Sequence, residues 1–128
     1  MRILILTMSM GIGGAETHVL TLSEAYLRAE HSVHVASCGG VLTDRLERAG
    51  IAHTCLPLDK KSPASVLRSV FGILRLCRRE NFDAVHAHGR IPAFCAGVCR
   101  RLCRFTARPF PPVTVTVHGM YAPDVPGA

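Results

Sequence analysis

Apolar positions follow two rhythms along this chain, and the rhythm switches several times. Residues 2–7 form an unbroken apolar run rich in Ile and Leu, the pattern of a strand buried on both faces. A Gly-rich loop over 8–14 follows, and residues 15–29 place Val19, Leu22, Tyr26 and Ala29 at helical spacing. Residues 31–37, with Val33 and Val35, predict a second strand. Gly39 and Gly40 turn the chain into a short helix over 42–49 that Gly50 ends, and 51–58 predicts a third strand. Ser62-Pro63 is a helix start, with Ser as N-cap and Pro at the first helical position. Val66, Leu67, Val70, Phe71, Leu74 and Cys77 then mark one apolar face as far as Arg79. Residues 82–87 predict a fourth strand, and 91–104 a fourth helix with Ile91, Phe94, Cys95, Val98 and Leu102 on one side. After Pro111-Pro112 a fifth strand over 113–118 alternates Val113, Val115 and Val117 with Thr114, Thr116 and His118.

Strands that alternate with helices imply an α/β fold with a doubly wound, Rossmann-like parallel sheet. A length of 128 residues suits one domain, expected over 1–121, and Y-A-P-D-V-P-G-A at the end reads as a tail over 122–128. No apolar stretch reaches the roughly 20 residues of a membrane span. The start has neither the apolar length nor the cleavage pattern of a signal peptide, which points to the cytosol.

Charge divides the chain. Residues 1–59 hold 4 basic and 6 acidic residues, whereas 60–108 hold 11 basic and 2 acidic. Such a basic half suits an anionic partner, or else the solvated faces of two helices. Aromatic residues make up 5% and Trp is absent, which argues against base stacking and hence against nucleic acid. The six Cys form no C-x-x-C pair; Cys95, Cys99 and Cys103 recur along one helix stripe, which by itself builds no tetrahedral zinc cage, and they read as small residues in a reducing compartment.

Ligands of doubly wound sheets bind at the carboxyl ends of the strands, where the strand order reverses. With an order such as 3-2-1-4-5, strands one and four meet there. The unusual residues cluster at those ends: Gly11 to Gly14 after strand one, H-A-H-G-R from His86 to Arg90 after strand four, and His118-Gly119 after strand five. Gly13 and Gly14 let backbone N–H groups approach a phosphate at a helix N-terminus, or simply make a tight turn. His88 and His118 can hold a sugar hydroxyl or phosphate, or shuttle a proton near neutral pH. Arg90 can bind a phosphate bidentately. His86 reads as a packed strand residue, and His18, His31, His34 and His53 have no motif around them. A nicotinamide site is excluded by spacing, since Glu16 stands where the third glycine of G-x-G-x-x-G belongs.

G-G-A-E-T-H-V-L-T-L, F-D-A-V-H-A-H-G-R and T-V-H-G-M-Y, in this order, resemble the N-terminal domain of a retaining GT-B glycosyltransferase of family 4. Glu30-His31 departs from the Gly-His usual there. The resemblance implies transfer of a sugar from a nucleotide-sugar donor to a glycan or lipid-linked acceptor, with no cofactor and no metal. It sets Gly13 and Gly14 near the donor diphosphate, His88 beside the transferred sugar as the catalytic residue, and His118 and Gly119 with Arg90 along the same cleft. It also implies a C-terminal donor-binding domain as partner. The family's E-x7-E pattern belongs to that domain, so the same spacing at Glu16 and Glu24 is coincidence. The chain is therefore expected to be an incomplete half, inactive and self-associating alone, with an acceptor that is phosphorylated or lies at the anionic inner face of a membrane. Two other classes remain: a non-catalytic binding module, and a metal-dependent amidohydrolase-like fragment using His86, His88 and His118.

Overall fold

The structure is a computed structural model and describes residues 1–11, 14–106 and 109–116. Its elements are β1 (Arg2–Thr7), α1 (Gly14–Arg28), β2 (Ser32–Ser37), α2 (Thr43–Arg48), β3 (Ala52–Cys55), α3 (Pro63–Arg79), β4 (Ala84–His88), α4 (Arg90–Cys103) and β5 (Val113–Thr116). The strands form one parallel sheet in the order β3-β2-β1-β4-β5, a Rossmann-like arrangement. β1 lies at the centre because its run from Ile3 to Thr7 has no exposed residue and can be covered on both faces.

The two faces of β1 feed two cores. Ile3 and Ile5, with Val33 and Val35, pack against Val19 and Leu20 of α1 and Leu46 of α2. Leu4 and Leu6, with Ala36, Val85 and Ala87, pack against Val70, Ile73 and Leu76 of α3 and Cys95, Ala96 and Cys99 of α4. Helices α1 and α2 therefore cover one face and α3 and α4 the other, as right-handed crossovers require.

Three expectations need correction. Strand β3 ends at Cys55 rather than running to Leu58: Leu56 still donates its N–H to the Ser37 carbonyl, but Pro57 has no N–H with which to continue a ladder. Strand β4 is shifted two residues later at its start, because Asp83 N–H donates to the Arg2 carbonyl and its carboxylate accepts the Arg2 N–H, closing the approach before the ladder begins. Most consequentially, the expected stripes of α3 and α4 match the buried faces only in part: Val66, Val70, Leu74 and Cys77 of α3 and Ile91, Cys95 and Val98 of α4 do pack against the core. Burial falls on Ser69, Val70, Ile73 and Leu76, and on Pro92, Cys95, Ala96 and Cys99, while Leu67, Phe71, Phe94 and Leu102 are exposed. Small residues at the contact, and a thiol donated by Cys99 to the Val70 carbonyl, let the two helices lie close.

At the end of the sheet where the strands begin, His34 is buried against Phe82, bonds through Nε2 to Thr54 Oγ1 at 2.7 Å, and lies 3.7 Å from a Glu80 carboxylate that also pairs with Arg2. Burial holds its pKa below the usual histidine value; the Glu80 charge opposes this, and Arg79 and Arg2 reinforce it. His53, bonded to Ser37 Oγ at 2.6 Å, is likewise lowered by burial. The unfolded chain therefore binds more protons than the folded one below about pH 6.5, and stability falls as pH drops through that value. The urea midpoint should be lower at mildly acidic pH than at neutral pH, and His34→Phe should flatten the dependence; an unchanged midpoint contradicts this.

Candidate functional site

The loop after β1 is held from below. Cys38 N–H donates to the Met8 carbonyl (3.0 Å), Met10 N–H to the Gly39 carbonyl (2.8 Å), and Leu42 N–H to the Met10 carbonyl (2.8 Å). Thus the turn after β2 clamps the loop after β1, with Met10 fully buried between them. Gly40, at φ +150°, lies directly against this backbone: an added Cβ would overlap the Met10 carbonyl group and the Gly11 nitrogen. Ser9 Oγ donates to Glu16 Oε2 at 2.9 Å, tying the loop to the first turn of α1. Gly14 is the first residue of that helix; Gly13 lies outside the described residues.

Strand β4 ends at His88, which stands opposite Thr7 of β1 on one side and Thr116 of β5 on the other. Between β1 and β4 the chain reverses its direction of progress across the sheet, so this is the switch-point crevice. His86 and His88 share a face, with ring centroids 4.1 Å apart and planes tilted by 32°. His86 also bonds through Nε2 to Thr116 Oγ1 at 2.9 Å, as befits a packed strand residue. His18 of α1 meets the His88 ring edge-on at 5.9 Å. His88 itself is 2% exposed, whereas His18 faces solvent. No motif in the sequence surrounds His18, whose signal is its place one turn into the helix that follows the Gly-rich loop.

Gly89 makes the turn from β4 to α4 at φ +102°, a conformation a side chain would resist. Its N–H donates to the Thr116 carbonyl (2.8 Å), and its carbonyl accepts from Ala93 N–H (3.1 Å) as the helix begins. Arg90, exposed, is the first residue of α4. The N-termini of α1 and α4 thus follow adjacent strands and direct their partial positive charge toward one mouth, where an anion is favoured. His118 and Gly119 lie outside the described residues.

Among the described residues no three His, Cys, Asp or Glu side chains are placed to hold a metal ion. All six cysteines are free thiols, and burial pushes Cys77 up to about 12, so that it is a poor nucleophile and ligand near neutral pH. Among the described residues no helix is long and apolar enough to cross a membrane.

The sequence model of Glycosyltransferase Family 4 matches residues 12–127. The chain belongs to glycosyltransferase family 4. The fold of this family 4 chain is similar to that of a glycosyltransferase from Rickettsia africae (21% identity, TM-score 0.73), covering 94% of this chain and 30% of that one. It is similar to MurG from Acinetobacter baumannii (16%, TM-score 0.68; 91% and 34% covered). It is also similar to HepE from Anabaena, solved in complex with UDP (19%, TM-score 0.64; 90% and 29% covered). The family 4 chain thus spans about a third of the length of these structures. Among curated proteins none matches it significantly.

Proposed function

We propose that this family 4 chain forms the N-terminal, acceptor-side half of a retaining GT-B glycosyltransferase. The observation that carries the reading is the junction of β1 and β4: Thr7 beside His88, with the N-termini of two helices on the same crevice. In this reading the diphosphate of a nucleotide-sugar lies against the backbone at Gly13 and Gly14, where no side chain intervenes. His88 touches the transferred sugar and holds a hydroxyl. Arg90, His118 and Gly119 border the same cleft, and Arg90 supplies positive charge as the diphosphate departs. A nucleotide is a fitting donor group because Anabaena HepE, of similar fold, was solved with UDP.

The nucleotide-sugar is a co-substrate, and no other cofactor and no metal enters the scheme. The acceptor is a glycan or a lipid-linked molecule, and the basic stretch over 60–108 suits one that is phosphorylated or lies at an anionic membrane, with the protein peripheral at the inner face. The donor-binding half is supplied by residues other than 1–128. Residues 1–128 alone should therefore give no turnover with any nucleotide-sugar. Joined to a family 4 donor-binding half, they should transfer the sugar with its anomeric configuration kept, as read by proton NMR of the product. An inverted product overturns retention, and the absence of transfer from every common donor overturns the reading as a whole.

A further inference from the structure

Four of the six cysteines sit on α3 and α4, and the crevice uses none of them. Cys95, Cys99 and Cys103 repeat every four residues along α4, and Cys77 lies two turns after Val70 on α3, so each set follows one helix stripe. Cys99 fixes how the stripes meet, because its thiol donates to the Val70 carbonyl at 3.5 Å. Both helices are crossovers between parallel strands and run in the same direction. Counted onward from that bond by the helical rise, Cys103 on α4 and Cys77 on α3 reach the same level to within about one turn.

Both thiols are half-buried, and both line an apolar groove of about 410 Å³. Phe82, before β4, and Phe110, before β5, line it too, so it lies at the end of the sheet opposite the crevice. The two groups also act on each other. Burial pushes Cys77 up to about 12, and the next contribution is the charge that a Cys103 thiolate places beside it. Cys95 and Cys99, by contrast, are fully buried, out of reach of any reagent in solution.

We propose that Cys77 and Cys103 are a redox-switched pair that closes into a disulfide joining α3 to α4. The inference is independent of sugar transfer. Helices that touch through small residues approach to about 8 Å, and cysteines facing each other at that separation have Cβ atoms within the span of a disulfide. The oxidant is a small disulfide such as oxidised glutathione. Cys103, on the last turn of α4, gives its proton to water and attacks one glutathione sulfur; the S–S bond breaks, and glutathione leaves as a thiolate that takes up a proton. In the mixed disulfide Cys103 carries no charge, so one of the two causes that hold the Cys77 proton is gone. Cys77 then loses its proton to water and attacks Cys103 Sγ, expelling the second glutathione thiolate. Two protein thiols are oxidised, and one small disulfide is reduced to two thiols. Adjacency offsets the low acidity of Cys77, since a thiol held beside its target acts at an effective concentration no free thiol reaches.

The test treats the full chain with oxidised glutathione and then alkylates the remaining thiols. Trypsin cuts after arginine and releases both cysteines in Leu-Cys-Arg, residues 76–78 and 102–104. Protein that stays monomeric on a non-reducing gel should yield two such tripeptides joined, and dithiothreitol should separate them. Cys77→Ser should stop at a glutathione adduct on Cys103. Cys103→Ser should leave Cys77 reacting at least about tenfold more slowly than in the parent. Cys38→Ser with Cys55→Ser, at the other end of the sheet, should leave the bond intact. The oxidised chain should also show a higher urea midpoint than the reduced one, because the bond closes a loop of about 25 residues in the unfolded chain. Absence of joined tripeptides from the monomer overturns the pair, whether Cys103 carries glutathione or stays free. So does a disulfide on Cys103 that survives Cys77→Ser, or a bond that disappears in the Cys38→Ser, Cys55→Ser variant. Equal midpoints overturn the bond as a staple between the helices.

Discussion

Gly40→Ala should destabilise the fold by about 2–4 kcal/mol, more than a methyl group added at any other glycine outside the helices among the described residues. Two costs combine at this position. The backbone sits at φ +150°, which a Cβ resists, and the Cβ would also overlap the Met10 carbonyl group and the Gly11 nitrogen. Both obstacles are backbone, so relief requires moving the loop after β1. That loop is pinned by the Met10–Gly39 and Leu42–Met10 hydrogen bonds, which would have to lengthen together. Gly50→Ala provides the comparison. Gly50 has φ +85° but nothing within 4 Å of an added Cβ, so only the conformational cost of about 1 kcal/mol applies. Urea unfolding of the two variants should therefore differ by more than about 1 kcal/mol, with Gly40→Ala the less stable. Equal midpoints would mean that the clamp between the two loops is soft.

His88→Ala, in an assembly competent for transfer, should lower kcat by about 100-fold or more while KM changes by less than about 5-fold. The argument is positional. His88 ends β4 beside Thr7 of the central strand β1, and the neighbouring rings of His86 and His18 flank it on two sides. A ring held this way needs little reordering to meet a substrate. Because His88 is buried, removing it also leaves a void, so His88→Gln is the necessary companion: it fills the space and keeps a hydrogen-bond donor. If both variants keep kcat within about 3-fold of the parent, the ring is structural. His18→Ala should cost less, about 10-fold at most, since His18 meets the ring of His88 edge-on.

Much of the fold could be read from composition along the chain, and for a simple reason. A strand buried on both faces has no polar positions to obscure it, so residues 2–7 stand out, and glycine or proline punctuates nearly every turn. The order β3-β2-β1-β4-β5 is the one that a doubly wound sheet suggests once strands and helices alternate. What periodicity leaves open is how far round α3 and α4 the buried face extends, although Val70, Leu74, Cys95 and Val98 of the expected stripes do pack on the core. Periodicity favours the largest apolar residues, but these helices bury small ones, Ser69, Cys95, Ala96 and Cys99, and turn Phe71 and Phe94 outward. Hydrophobic spacing identifies an amphipathic helix; when two stripes compete, only packing against the sheet decides between them. The places of His88 and Arg90, at the end of β4 and the start of α4, are legible because they flank a glycine. His18 was not, because its neighbour His88 lies seventy positions away and no local pattern couples them.

The sheet's pairing order also bears on how the chain is made. β1 is synthesised first and gains β2 as a neighbour once residues 32–36 exist, yet its other edge is filled only when residues 84–88 arrive. During synthesis the strand bearing the Gly-rich loop therefore waits with one ladder of N–H and C=O groups unsatisfied while about fifty further residues leave the ribosome. Contacts of such long sequence separation form slowly. Growth temperature and chaperone supply should accordingly govern the soluble yield of this polypeptide more than the equilibrium strength of its finished cores.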